Sequence, residues 1–151
     1  MVDDEENILR SLERLLRRDG YHILKATSGE AGLELLRESA VGVIVSDQRM
    51  PGMTGVEFLS QVKDLYPRTV RIVLSGYTEL KSVTDAINKG AIYKFLTKPW
   101  EDELLRANIK EAFEHFELAH ENERLARELE QANAQLARLQ QELDERATQT
   151  S

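Results

Sequence analysis

Residues 41–46, "VGVIVS", form an almost unbroken apolar run. A strand with one wet face alternates apolar and polar residues. A run like this one suits a strand covered on both faces, as inside a parallel sheet. "YHILKAT" (21–27), "VRIVLSG" (70–76) and "AIYKFLTKP" (91–99) also read as strands. Helix-period segments lie between them. "ENILRSLERLLRRDG" puts Ile8, Leu12, Leu15 and Leu16 on one face and ends at Gly20. Ser28 suits the N-cap of "GEAGLELLRES", with Ala31, Leu35 and Leu36 facing inward. "GVEFLSQVKDLYP" is a helix stopped by Pro67, and "ELKSVTDAINKG" a weaker one ending at Gly90. Strands separated by helices imply right-handed crossovers and a doubly wound α/β sheet.

The start is anomalous. Only Met1 and Val2 precede Asp3-Asp4, too few for a strand of ordinary length. Read as the tail of a first strand, they would be central in a flavodoxin-like five-stranded sheet of order 2-1-3-4-5. The expectation is that a few more apolar residues stand upstream in the natural chain; the alternative is a domain that lacks its first strand and is less stable.

From about residue 101 the character changes. Pro and Gly are absent after Pro99, and Glu, Leu, Ala and Arg dominate. Leu118, Leu125, Ala132 and Leu139 form one seven-residue series; Asn122, Leu129, Leu136 and Leu143 form the other. They are d and a positions of a coiled coil, and Asn122 at an a position favours a parallel two-stranded register. Leu105, Ile109, Ala112 and Phe116 suit a preceding stretch packed on the sheet. The expected organisation is a domain over 1–116, a coiled-coil helix over 117–146 continuing from its last helix, and a disordered tail over 147–151.

Bulk properties exclude several classes. The net charge of −7 and Arg residues interleaved with Glu in the tail speak against direct nucleic-acid binding. No apolar run approaches a membrane span, and the tail lacks the aromatics of a membrane-surface helix. Without cysteine there is neither a disulfide framework nor thiolate chemistry. A soluble cytoplasmic protein is the expectation.

In an open α/β sheet, ligands sit beyond the carboxyl ends of the strands. The polar residues expected there are Asp3, Asp4, Asp47, Ser75 and Lys98. Singly, each is an ordinary cap or loop residue. Together, three carboxylates repel one another unless a cation joins them, and oxygen-only ligands suit a hard ion such as Mg²⁺.

"VDDEE", "SDQRMPGMTGVEFL", "LSGYT" and "FLTKPW" closely resemble the receiver domains of two-component response regulators, over roughly residues 1–115. The resemblance implies that Asp47 accepts a phosphoryl group from a histidine kinase or phosphotransfer protein. It implies Mg²⁺ held by Asp3, Asp4, Asp47 and the backbone carbonyl of Arg49. Ser75 matches the switch hydroxyl, Lys98 the phosphoryl-contacting lysine and Phe95 the aromatic that changes rotamer. Lys98-Pro99 matches a peptide bond usually cis in the family. Activation would then act on the face of the fourth helix, fifth strand and fifth helix. Many receivers carry Thr at position 75 and Tyr at position 95, where this chain has a Ser without the methyl and a Phe without the hydroxyl. Arg49 and Tyr77 border the site, either shielding or orienting a hydrolytic water or as solvated loop residues.

"AINKGAIYKFLTKPWEDELLRANIKEAFEHFELAHENERL" looks like a branch of receivers that precede HD-type cyclic-di-GMP phosphodiesterases or diguanylate cyclases. A similar "DQRMPG…TGVEFL" occurs in regulators of hydrogenase transcription. The resemblance implies a non-enzymatic switch, and the heptads a homodimer; the chain is read as a piece of a longer regulator rather than a receiver whose coil is its own output. Two readings compete. A Mg²⁺-dependent phosphatase or phosphotransferase usually has a second Asp two residues after the nucleophile, where this chain has Arg49. A degenerate scaffold would have lost an acidic residue or the lysine.

Overall fold

A computed structural model describes residues 1–76 and 79–149, the side chain of Leu80 excepted. Three strands, β1 (Val43–Asp47), β2 (Val70–Ser75) and β3 (Lys94–Thr97), form a parallel sheet in that order. Among the described residues, five helices accompany them: α1 (Glu6–Arg17), α2 (Gly29–Glu38), α3 (Gly55–Leu65), α4 (Leu80–Asn88) and α5 (Asp102–Gln149). The chain divides into two compact units, Met1–Phe116 and Glu117–Ser151.

The apolar runs behave as their composition requires. Ile44 and Val73 of the sheet join Leu36 of α2, Phe58, Leu59 and Val62 of α3, and Val83 and Ala86 of α4 in one core. Val45, Val70, Ile72 and Leu74 join Leu12 and Leu16 of α1 with Leu105, Ile109 and Ala112 of α5 in the other. Alternate residues of β1 and β2 thus feed opposite cores, which is why both faces of these strands are apolar. The sheet is wound on both sides.

Helix limits follow local chemistry. The Ser28 hydroxyl accepts from the Ala31 amide at 3.1 Å, and Thr54 caps α3 by accepting from the Glu57 amide at 3.2 Å. Gly20 (φ 80°) and Gly90 (φ 77°) stand just past α1 and α4, in the left-handed conformation that glycine adopts without a Cβ clash. In α1, Leu9 is also buried, while Ile8 and Leu15 lie at the core's edge.

Of the five expected strands, three form among the described residues. "YHILKAT" forms no strand; within it only Ala26 makes a bridge, to Val2, which also bridges Ser46. A strand needs a neighbour along its length, and Val2 is the single residue of the first segment in ladder position. Other contacts tie the segment down: the Met1 ammonium donates to Leu24 O at 2.8 Å, Lys25 Nζ pairs with Glu13 at 2.8 Å, and the Tyr21 ring stacks on Phe113 with centroids 4.7 Å apart.

In the second unit α5 runs to Gln149. Ala147, Thr148 and Gln149, placed by the sequence in a disordered tail, are therefore helical, and the Thr148 hydroxyl bonds back to the carbonyls of Asp144 and Glu145 at 3.1 and 2.8 Å. The other two tail residues lie outside the described ones. Leu118, Leu125, Leu129, Leu136, Leu139 and Leu143 are all exposed. Arg124 bridges Glu121 and Glu128 along the same helix. Among the described residues no helix is long and apolar enough to cross a membrane.

Arg106 of α5 holds Asp19, just beyond α1, through both carboxylate oxygens at 2.7 and 3.1 Å. These hydrogen bonds keep the Asp19 carboxyl below the usual carboxylate range, whereas Arg106 stays charged throughout. A depressed folded value stabilises above the unfolded-state value of about 4 and is lost as pH falls through the lower, folded one. Asp19→Asn is therefore expected to lower stability at pH 7, with the gap to wild type closing on acidification. A gap independent of pH in urea unfolding would contradict this.

Candidate functional site: a carboxylate cluster at the carboxyl edge of the sheet

Asp47 is the last residue of β1, and its amide donates to Val2 O at 2.8 Å. Val2 in turn donates to Val45 O at 2.9 Å, and the Asp3 amide to Ala26 O at 3.1 Å. The two bridges thus hold Asp3 beside Asp47. Lys98 follows β3, and its amide donates to Ser75 O at the end of β2 at 3.1 Å. Parallel strands ending in register gather these side chains on one rim.

Asp3, Asp4 and Asp47 each offer an oxygen within 4.8 Å of the others. Lys98 Nζ lies 3.0 Å from Asp3 Oδ2 and 2.9 Å from Asp47 Oδ1. Asp3 is buried, with its other oxygen accepting from the Glu5 amide at 2.9 Å, and Asp4 is exposed. Burial raises the Asp47 carboxyl above its ordinary value, with the charge of Asp3 acting the same way, and this outweighs the opposing pull of Lys98. For Lys98, burial alone would lower the ammonium; its hydrogen bonds to Asp47 and Asp3 reverse that, and the net shift is upward. One cation therefore serves two carboxylates and stays protonated, while the cluster keeps excess negative charge.

The donor set is three carboxylates and no soft ligand. It fits a small hard divalent ion, which favours one or a few carboxylates with water completing the shell.

The loop after Asp47 is tied down by residues that sequence reasoning missed. Gln48 is buried; its amide donates to Leu74 O at 3.1 Å, its carbonyl accepts from Gly55 at 3.0 Å, and its side-chain oxygen accepts from the Val56 amide at 2.8 Å. The Gln48 amide is thus already engaged. Gly55 opens α3 directly against this loop: a Cβ there would stand 2.2 Å from Asp47 O. Gly52, after Pro51, takes φ 78° at the turn.

Ser75 is buried at the end of β2, and its hydroxyl has two acceptors in reach, Glu79 Oε2 and Gly76 O, both at 3.1 Å. Arg49 turns to Glu79 too, with Nε 2.8 Å from Oε1. No local pattern marked Glu79, because its role exists only once Arg49 and Ser75 converge. Phe95 is paired with Val73 across the sheet and packs, half-buried, against the core on the α3 and α4 side. The Lys98-Pro99 peptide is cis. Tyr77 lies outside the described residues.

Comparison with known proteins follows the same lines. The model of the response regulator receiver domain matches residues 1–110, and the chain belongs to that family, the receivers of two-component signalling. It is 39% identical over 129 residues to the hydrogenase transcriptional regulatory protein HoxA of Cupriavidus necator, covering 85% of this chain and 27% of HoxA. The chain thus spans about a quarter of that relative's length. A solved structure from Neptuniibacter caesariensis, of an uncharacterised protein, is 44% identical with a TM-score of 0.78, covering 80% of this chain and 90% of that one. The signal receiver domain of an HD domain-containing protein from Pseudomonas fluorescens Pf-5 is 37% identical with a TM-score of 0.75, covering 80% and 88%.

Gly55→Ala forces backbone against backbone. It is expected to lower unfolding free energy in urea by about 2 kcal/mol or more. Unchanged stability would show that the α3 start can retreat from Asp47 freely.

Proposed function

We propose that this receiver takes a phosphoryl group on Asp47 from a sensor histidine kinase or phosphotransfer protein, in a Mg²⁺-dependent reaction. The observation that carries the reading is the Asp47 carboxylate, at the sheet's carboxyl edge, 2.9 Å from an ammonium and clustered with two further carboxylates. Asp3, Asp4, Asp47 and the backbone carbonyl of Arg49 would hold the ion. Bound there, Mg²⁺ supplies positive charge against the oxygens of the incoming phosphoryl group.

The chain's own residues do the rest. An Asp47 oxygen attacks phosphorus, a new P–O bond forms, the P–N bond of the phosphohistidine breaks, and the imidazole leaves with the electron pair. A carboxylate is a modest nucleophile, so positioning and charge neutralisation carry the step. Lys98, kept protonated by its two carboxylate partners, is placed to meet a phosphoryl oxygen. The acyl phosphate adds about two negative charges and new acceptors, toward which Ser75 moves. Phe95 turns into the space left, and the signal reaches the face formed by α4, β3 and α5. In this reading the bridges at Val2 and Ala26 mark strands one and two of a 2-1-3-4-5 order.

The exposed leucines of α5 at a and d spacing support a parallel homodimeric coiled coil with Asn122 in its seam. The domain works in the cytoplasm as the regulatory part of a longer regulator, with no direct contact to nucleic acid or membrane of its own. A small-molecule phosphatase is disfavoured by Arg49, where its acid/base would stand. A scaffold without phosphorylation is disfavoured by the complete acidic set and the lysine.

With acetyl phosphate and Mg²⁺, the intact mass of the wild type is expected to rise by one phosphoryl group. Asp47→Asn and chelation of Mg²⁺ each abolish the gain; a wild type that gains nothing sinks the reading. Removing residues 118–151 is expected to turn a sedimenting dimer into a monomer. Identical monomeric sedimentation of both forms would refute the coiled coil.

A further inference from the structure

The Ser75 hydroxyl has one hydrogen and two acceptors in reach, Gly76 O and Glu79 Oε2. The charged acceptor makes the stronger bond. The other oxygen of the same carboxylate accepts from Arg49 Nε at 2.8 Å. Ser75 is only 2% exposed and the Glu79 side chain 18%, whereas that of Arg49 is 80% exposed. A largely dehydrated carboxylate thus engages the hydroxyl at the end of β2 and the cation two residues after Asp47. Among the described residues, the Ser75 hydroxyl makes no hydrogen bond to Asp47.

A phosphoryl group on Asp47 would bring acceptor oxygens of the same kind to the strand-end rim on which Ser75 also stands. Glu79 already takes the Ser75 hydroxyl bond and the Arg49 Nε–H.

We propose that Glu79 is a positioning residue that holds Ser75 and Arg49 away from Asp47 until a phosphoryl group displaces it. This rests on phosphorylation at Asp47. In the transfer from acetyl phosphate, an Asp47 oxygen bonds to phosphorus, the P–O bond to acetate breaks, and acetate leaves with the electron pair. The Ser75 proton stays on Ser75 and only its acceptor changes, from Glu79 to a phosphoryl oxygen. Glu79 thereby opposes the phosphorylated state, and its removal favours that state.

The test uses the full chain with Mg²⁺ and graded acetyl phosphate, reading the phosphorylated fraction by intact mass. Glu79→Gln keeps the shape and removes the charge. It is expected to lower the half-phosphorylation concentration roughly fivefold, the difference between a charged and a neutral acceptor. Glu79→Ala is expected to act in the same direction. In a Ser75→Ala background the Glu79→Gln gain is expected to shrink to roughly twofold or less, because the two residues act through one bond. An unchanged half-point for Glu79→Gln and Glu79→Ala overturns the proposal. So does a gain that persists in full without the Ser75 hydroxyl, which would mean simple charge repulsion. Absence of mass gain in every form, wild type included, overturns the phosphorylation reading itself and the restraint with it.

Discussion

The ammonium of Lys98 stands between two carboxylates, Asp3 and Asp47, that would otherwise repel each other at a largely buried sheet edge. Each acid is on a different segment, and neither neighbour in sequence calls for the other. Such an arrangement persists only where a cation neutralises it and the backbone leaves little room to relax. The raised carboxyl of Asp47 and the raised ammonium of Lys98 are two sides of that constraint. Negative charge is concentrated beyond what one lysine balances, and a site in that condition favours a further cation.

The fold serves this constraint through its backbone. Val2 is hydrogen-bonded to Val45 and Asp47 of β1, and its neighbours Met1 and Asp3 to Ala26, which fixes the approach of Asp3 to Asp47. Lys98 reaches the site from the end of β3 with its amide on Ser75. Gln48 and Gly55 then clamp the loop after Asp47 to the start of α3. The apolar strands on both faces are therefore scaffolding for a short polar rim, where chemistry is confined to strand ends.

Much of this was legible in the sequence. The doubly apolar runs identified β1 and β2, the segment "AIYKFLTKP" was read as the strand that contains β3, and Ser28, Gly20 and Gly90 marked helix limits through local chemistry alone. The acidic residues, Ser75 and Lys98 could be named because each stands at or just past the end of a segment read as a strand. "YHILKAT" misled because strand formation depends on a neighbour, and composition does not reveal whether one is present. Gln48, Gly55 and Glu79 were not legible for a related reason. Their roles come from contacts with Val56, Asp47, Arg49 and Ser75 that exist only after folding. The exposed leucines of the second unit read clearly as a heptad pattern, while their partner is a matter of association rather than of the single chain.

Phosphoryl transfer at this rim requires that the three carboxylates form one cation site that includes Asp47. Calorimetric titration of the full chain with Mg²⁺ tests this directly, without any phosphodonor. Saturable binding at one site is predicted for the wild type, weakened roughly tenfold or more by Asp47→Asn through loss of a carboxylate ligand. Equal affinity in the two proteins, or no binding in the wild type, would contradict it.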